Sequence, residues 1–148
     1  MAKRIDPAGY VVKCNEIIKS LTIRALSELG EECVNRVRDR SGDESWYDQT
    51  GNLRSSVGYV IAHNKNIIQY STFNQVMQGS EGVKTGKDLA EELAKRYSNN
   101  YVLIVVAGMN YAEFVEAMDN KDVLASTELW AREQVPLMLE KLKRQIAK

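Results

Sequence analysis

The sequence predicts an α+β fold on three observations. Apolar residues recur at helical spacing near the start and again at the end, two β-branched runs flank a short polar turn, and a third run, Tyr101-Val102-Leu103-Ile104-Val105-Val106-Ala107, is apolar throughout. The order is a long N-terminal helix, a small mostly antiparallel sheet made of a hairpin plus a central strand, an inserted helix, and a long C-terminal helix. No repeat, low-complexity tract or linker divides the 148 residues, so one domain, 1–148, is expected.

From Ala8 to about Arg38, Val11, Cys14, Ile18, Leu21, Ala25, Leu29, Cys33 and Val37 recur at steps of three or four, with Pro7 suited to the first turn. About 31 residues at 1.5 Å each reach about 46 Å, more than the roughly 38 Å diameter of a compact chain of this size. The helix therefore either bends, with Gly30 as the obvious place, or overhangs the globule. Ile17, Ile23, Leu26 and Val34 lie off the main stripe, and an overhang with spare apolar surface calls for a partner. Cys14 and Cys33 sit about 28 Å apart on such a helix, against a limit of about 7 Å for a disulfide, so both are expected as free thiols.

The polar stretch from Ser41 to Asn52 reads as a loop followed by a short helical turn capped at Thr50. Val57 to Ala62 and Ile67 to Phe73 read as a hairpin around His63-Asn64-Lys65-Asn66. Gly79, Gly82 and Gly86 suggest a mobile loop, after which Thr85 and Asp88 form a cap pair for a helix running to about Tyr97. The unrelieved run 101–107 reads as the central strand, covered on both sides. A turn at Asp119-Asn120-Lys121 and a short strand over Asp122-Val123-Leu124 follow. The last helix starts at Ser126 or Thr127, with Ala131, Val135, Met138, Leu142 and Ile146 as its stripe and Pro136 as a kink.

Charge and motifs exclude several functions. Twenty basic and twenty acidic residues leave no net charge, so a generally basic surface for phosphate backbones is absent and self-association is not opposed. The longest apolar run is too short to cross a bilayer and the start has no apolar signal core, so a protein that is not exported is expected. No zinc site can be composed, and no cofactor is expected. Aligning Gly86-Lys87 with a phosphate-binding loop puts Glu81 at its first glycine and Asp88 at its magnesium hydroxyl, and both positions fail. Asp39-Arg40-Ser41-Gly42-Asp43 begins like a calcium loop, but Glu44 and Thr50 replace the required glycine and glutamate. Ser55, His63 and Asp48 make a triad only on paper. Asp43, Glu44, Asp48, Glu113 and Glu116 have no spacing that singles out an acid–base pair, and Lys141, Lys143, Arg144 and Lys148 complement the negative end of their helix. No enzyme is expected. Trp46 and Tyr47 stand outside any periodic stripe and either fold back on the core or anchor a partner.

Thr50-Gly51-Asn52-Leu53-Arg54-Ser55-Ser56-Val57 and, after the hairpin, Ala107-Gly108-Met109-Asn110-Tyr111-Ala112-Glu113-Phe114-Val115-Glu116 resemble segments of tailed-bacteriophage neck proteins. The family is the tail-completion and head–tail joining family typified by gene product ten of phage HK97. Its members share a long first helix, a TGNLR-S segment before a strand, a YA-(aromatic)-VE segment after the sheet, and a terminal helix. The chain departs from that pattern at Ala117-Met118-Asp119-Asn120-Lys121, where the usual glycine is missing, and in the stretch from Gly79 to Tyr97, which looks added.

The resemblance implies a non-enzymatic virion or prophage component, made in the bacterial host cytoplasm and resident in the neck or tail. It would form a homo-oligomeric ring, six copies being the number implied, that meets other neck, portal-side or tail-tube proteins. DNA would pass through the lumen without specific binding, and no membrane is involved. Arg54, Tyr111, Phe114 and Glu116, with Trp46 and Tyr47, are the interface residues this reading selects, although Tyr111 and Phe114 read equally well as core. The rival class is a small cytosolic regulatory domain binding a protein or ligand through the Gly79–Gly86 and Trp46-Tyr47 loops. A hydrolase or transferase centred on His63 ranks last.

Overall fold

A computed structural model describes residues 7–39, 55–73, 79–97, 100–108 and 124–147. Its elements are α1 (Pro7–Asp39), β1 (Val57–His63), β2 (Asn66–Tyr70), α2 (Ser80–Ala94), β3 (Tyr101–Ala107) and α3 (Ala125–Ala147). The fold is α+β, with a three-stranded antiparallel sheet in the order β2-β1-β3. The loop of 41–52, the helical turn begun at Thr50, the turn of 119–121, and Asp122 and Val123 of the expected last strand lie outside the described residues.

The hairpin forms because Asn64 and Lys65 both adopt positive φ, 51° and 71°, and so reverse the chain in two residues with a twist that suits antiparallel strands. Pairing then runs from His63↔Asn66 to Val60↔Tyr70, with an irregularity that leaves Ile68 as the extra residue on β2. β2 ends at Tyr70, three residues earlier than expected. Ser71 continues the ladder, donating its N–H to the Tyr59 carbonyl at 2.8 Å while its Oγ accepts the Tyr59 N–H at 2.7 Å.

β1, not β3, is the central strand. The apolar run in β3 reflects helices on both faces of an edge strand, which the sequence reads the same way as a central position. Alternation sorts the residues: Val57, Tyr59 and Ile61 face α1 together with Val34 and Val37, while Val60 and Ala62 join Phe73, Ala90, Ala94, Ile104 and Val106 beneath α2. Three layers result, with α1 and α3 on one side of the sheet and α2 on the other. α3 packs chiefly along α1 and touches the sheet little.

Of the glycines expected to form a loop, Gly82 and Gly86 lie in a helix and Gly79 stands at its start. α2 begins at Ser80, its N-cap is Gly79 with no side-chain cap, and Thr85 donates back to the Glu81 carbonyl at 2.8 Å instead of capping. Gly86 lies tight against the start of β1: a Cβ there would collide with the Ser56 carbonyl oxygen and lie 2.9 Å from the Phe73 ring. Gly86 thus serves close approach, and Gly79 and Gly82 are buried beside it.

α1 is one helix of 33 residues, so the overhang is realised. Gly30 is buried against Tyr59, where a Cβ would come within 2.8 Å of the ring. Gly30→Ala in an exposed helix would gain about 1 kcal/mol. Here a net loss of about 1–2 kcal/mol is expected from displacing Tyr59, read as a lower urea midpoint at unchanged slope. α3 runs through Pro136, which does not end it.

Candidate functional site

Residues 7–20 of α1 are all exposed except Cys14, which is half-buried. On a helix turning about 100° per residue, Tyr10, Val11, Cys14, Ile17, Ile18 and Leu21 fall on one side, with Lys13, Glu16 and Lys19 on the other. Downstream the same side carries Leu21 and Ala25, which line a small cavity together with Met138 and Leu142 of α3. The exposed ridge therefore continues the side of α1 that faces α3 further along. Tyr10 is 66% exposed, Val11 54% and Ile17 50%.

Because α3 leans on α1 and not on the sheet, a cleft of about 650 Å³ opens between α1, β3 and α3. Leu26, Leu29, Val105, Ala131, Val135 and Leu139 contribute to its largely apolar walls. Glu128 is the charged residue on its wall, and its carboxylate accepts from Arg132 at 2.8 Å. Arg36 lies 3.9 Å over the Trp130 ring and ties the start of α3 to the end of α1, near one end of the cleft. The cleft and ridge were not readable as a pair in the sequence. The apolar stripes of both helices were visible, but whether α3 would close onto the sheet was not.

Cys33 also borders the cleft, and burial first, then the Glu32 charge, pushes its thiol up to about 11, against the opposing pull of Arg36. Between about pH 9 and 11 the folded state thus holds a proton that the unfolded state has released, so stability falls as pH rises through that window. A loss of at most about 2 kcal/mol is expected, abolished in Cys33→Ala, and measured by urea denaturation across that range. Both cysteines are free. At pH 8 a thiol reagent should label Cys14 quickly and Cys33 only as the fold opens.

His63 stacks on Tyr101 with ring centroids 4.3 Å apart and planes 7° from parallel, at the hairpin end of the sheet. Ser55 is buried just before the opposite end of β1, and a strand of this length separates the two by about 20 Å or more. The paper triad therefore does not assemble. A second polar cluster joins Gln69, whose Nε2 donates to Ser27 Oγ at 2.5 Å, to the Tyr59 hydroxyl. Burial raises the pKa of Tyr59 and the Gln69 and Ser27 hydrogen bonds partly offset this, an arrangement that pins β2 to α1. Among the described residues, no group of three His, Cys, Asp or Glu side chains is placed to hold a metal ion, and no helix is long and apolar enough to cross a membrane.

Trp46, Tyr47, Arg54, Tyr111, Phe114 and Glu116 lie outside the described residues. Their segments nevertheless join the described fold at one place. Val57 pairs with Ala107, and the Gly108 N–H donates to Ser56 Oγ at 3.0 Å and to the Ser56 carbonyl at 3.3 Å. The chain thus enters β1 and leaves β3 side by side. What the fold and these surfaces define is a small α+β protein whose first helix projects beyond its own core. Comparison with protein-family models, with curated proteins and with solved structures gives no match.

Proposed function

We propose that the chain is a non-enzymatic structural component of a tailed phage or prophage, joining tail to head as an oligomeric ring in the neck. The observation that carries the reading is the juxtaposition at Ser56 and Gly108 of the two segments that resemble the neck family. The projecting apolar ridge of α1 supports it, since a subunit with uncovered apolar surface and no net charge is suited to assembly. The absence of net charge also suits a channel that DNA traverses without adhering.

The test is light scattering and negative-stain imaging of the purified protein alone and mixed with portal and tail-tube proteins of a tailed phage. Closed rings, or capture by either partner, are the expected result. A chain that stays monomeric and binds neither partner overturns the reading. Arg54→Ala and Tyr111→Ala should each weaken assembly about tenfold while leaving the circular dichroism spectrum unchanged.

The apolar cleft favours a second reading, a regulatory domain that binds an apolar ligand or protein segment. Of the Gly79–Gly86 stretch assigned to that role, Ser80 to Gly86 form the start of α2 and Gly86 is engaged in packing, so the cleft replaces it as the binding surface. A gain in melting temperature with a panel of fatty acids or amphipathic peptides would distinguish it from the neck assignment.

A further inference from the structure

We infer that the first four turns of α1 from one copy seat in the α1–α3 cleft of the next, so that each copy gives a ridge and receives one. The inference rests on the ring reading only for closure of the chain of contacts; the donor and acceptor surfaces come from the fold. Three features lead to a second copy as the occupant.

The ridge is amphipathic and is turned to the side that faces α3 further along the same helix, so it presents the apolar chemistry that α1 already offers this chain's own α3. The acceptor has that chemistry: Val135 and Leu139 of α3 and Leu26 and Leu29 of α1 line a cleft large enough for several apolar side chains. Area decides the symmetry. Tyr10, Val11, Cys14, Ile17 and Ile18 together offer about 400 Å² per ridge, so one seated ridge buries about 800 Å² in all, below the roughly 1,200 Å² of a stable pair.

Two ridges packed on each other would bury no more and would leave both clefts wet. Head-to-tail seating uses ridge and cleft of every copy, doubling the area buried per subunit once the ring closes. Isolated pairs are weak under this arrangement, and assembly is steeply concentration dependent.

Sedimentation velocity from roughly 10 μM to 1 mM tests this with a ridge variant, Ile17→Asp/Ile18→Asp, and a cleft variant, Val135→Asp/Leu139→Asp, spanning the affinities expected of so small a contact. All four positions are partly or fully exposed, and circular dichroism checks that each variant folds. The wild type should gain mass with concentration, and each variant should raise the apparent Kd at least about tenfold. An equimolar mixture of the two should exceed the mean mass of either alone and stop at a dimer, because it contains one usable ridge and one usable cleft per pair.

A wild type that is monomeric throughout overturns the inference, as does a cleft variant that assembles like wild type, which would mean ridges pair with ridges. A mixture that gains nothing over its components also overturns it. Assembly as described without capture by portal or tail proteins would remove the neck reading and leave this inference standing. Rings that persist in both variants would do the reverse.

Discussion

Gly86→Ala is expected to cost about 3 kcal/mol, a large share of the stability of a domain of this size. In a helix the substitution ordinarily gains about 1 kcal/mol, so the sign itself is the test. The added Cβ meets the backbone carbonyl of Ser56, which cannot rotate away, and the Phe73 ring at 2.9 Å. Gly108, after β3, packs on the same turn of the helix, where a Cβ on Gly108 itself would lie 2.7 Å from the Gly86 nitrogen, so the helix has little room to shift sideways. Urea denaturation should show the midpoint falling by about 1–2 M, whereas exposed Lys87→Ala one residue on should change stability by less than about 0.5 kcal/mol. A Gly86→Ala protein as stable as wild type would mean that α2 does not contact the sheet at this point.

Ile61→Ala should be nearly as costly, about 3–4 kcal/mol. Ile61 is fully buried at the middle of the central strand, opposite Leu103 on one side and Gln69 on the other, with Val34 and Val37 of α1 in the same cluster. The surrounding elements are α1 and two strands held by backbone pairing, so the cavity has little freedom to collapse. Ile68→Ala removes the same atoms from the irregular position of β2, where the side chain is 38% exposed, and should cost about 1 kcal/mol or less. The contrast, followed by thermal melting, separates burial from residue type.

The helix and strand identities were legible because period is local. Val11 to Val37 step at three and four residues whatever surrounds them, and the β-branched runs flank a turn whose Asn64 and Lys65 take the positive φ a tight hairpin needs. Edges and glycines were less legible. An apolar run such as Tyr101 to Ala107 records that both faces are covered and says nothing of how many strands lie beside it, which is why β3 reads as central while β1 holds that place. Gly86 looks like a loop residue in one dimension, because the atoms that require it, in Ser56 and Phe73, are distant in sequence.

The candidate site divides along the same line. A helix too long for its globule, with apolar residues to spare, follows from length and spacing alone, as does the absence of net charge that leaves self-association unopposed. That α3 leans on α1, leaves nearly all of residues 7–20 exposed, and opens a cleft beside β3 depends on how helices of unequal length pack on a narrow sheet. Periodicity specifies which face of each helix is apolar. Relative placement, settled by packing between residues more than a hundred positions apart, specifies which of those faces remains uncovered.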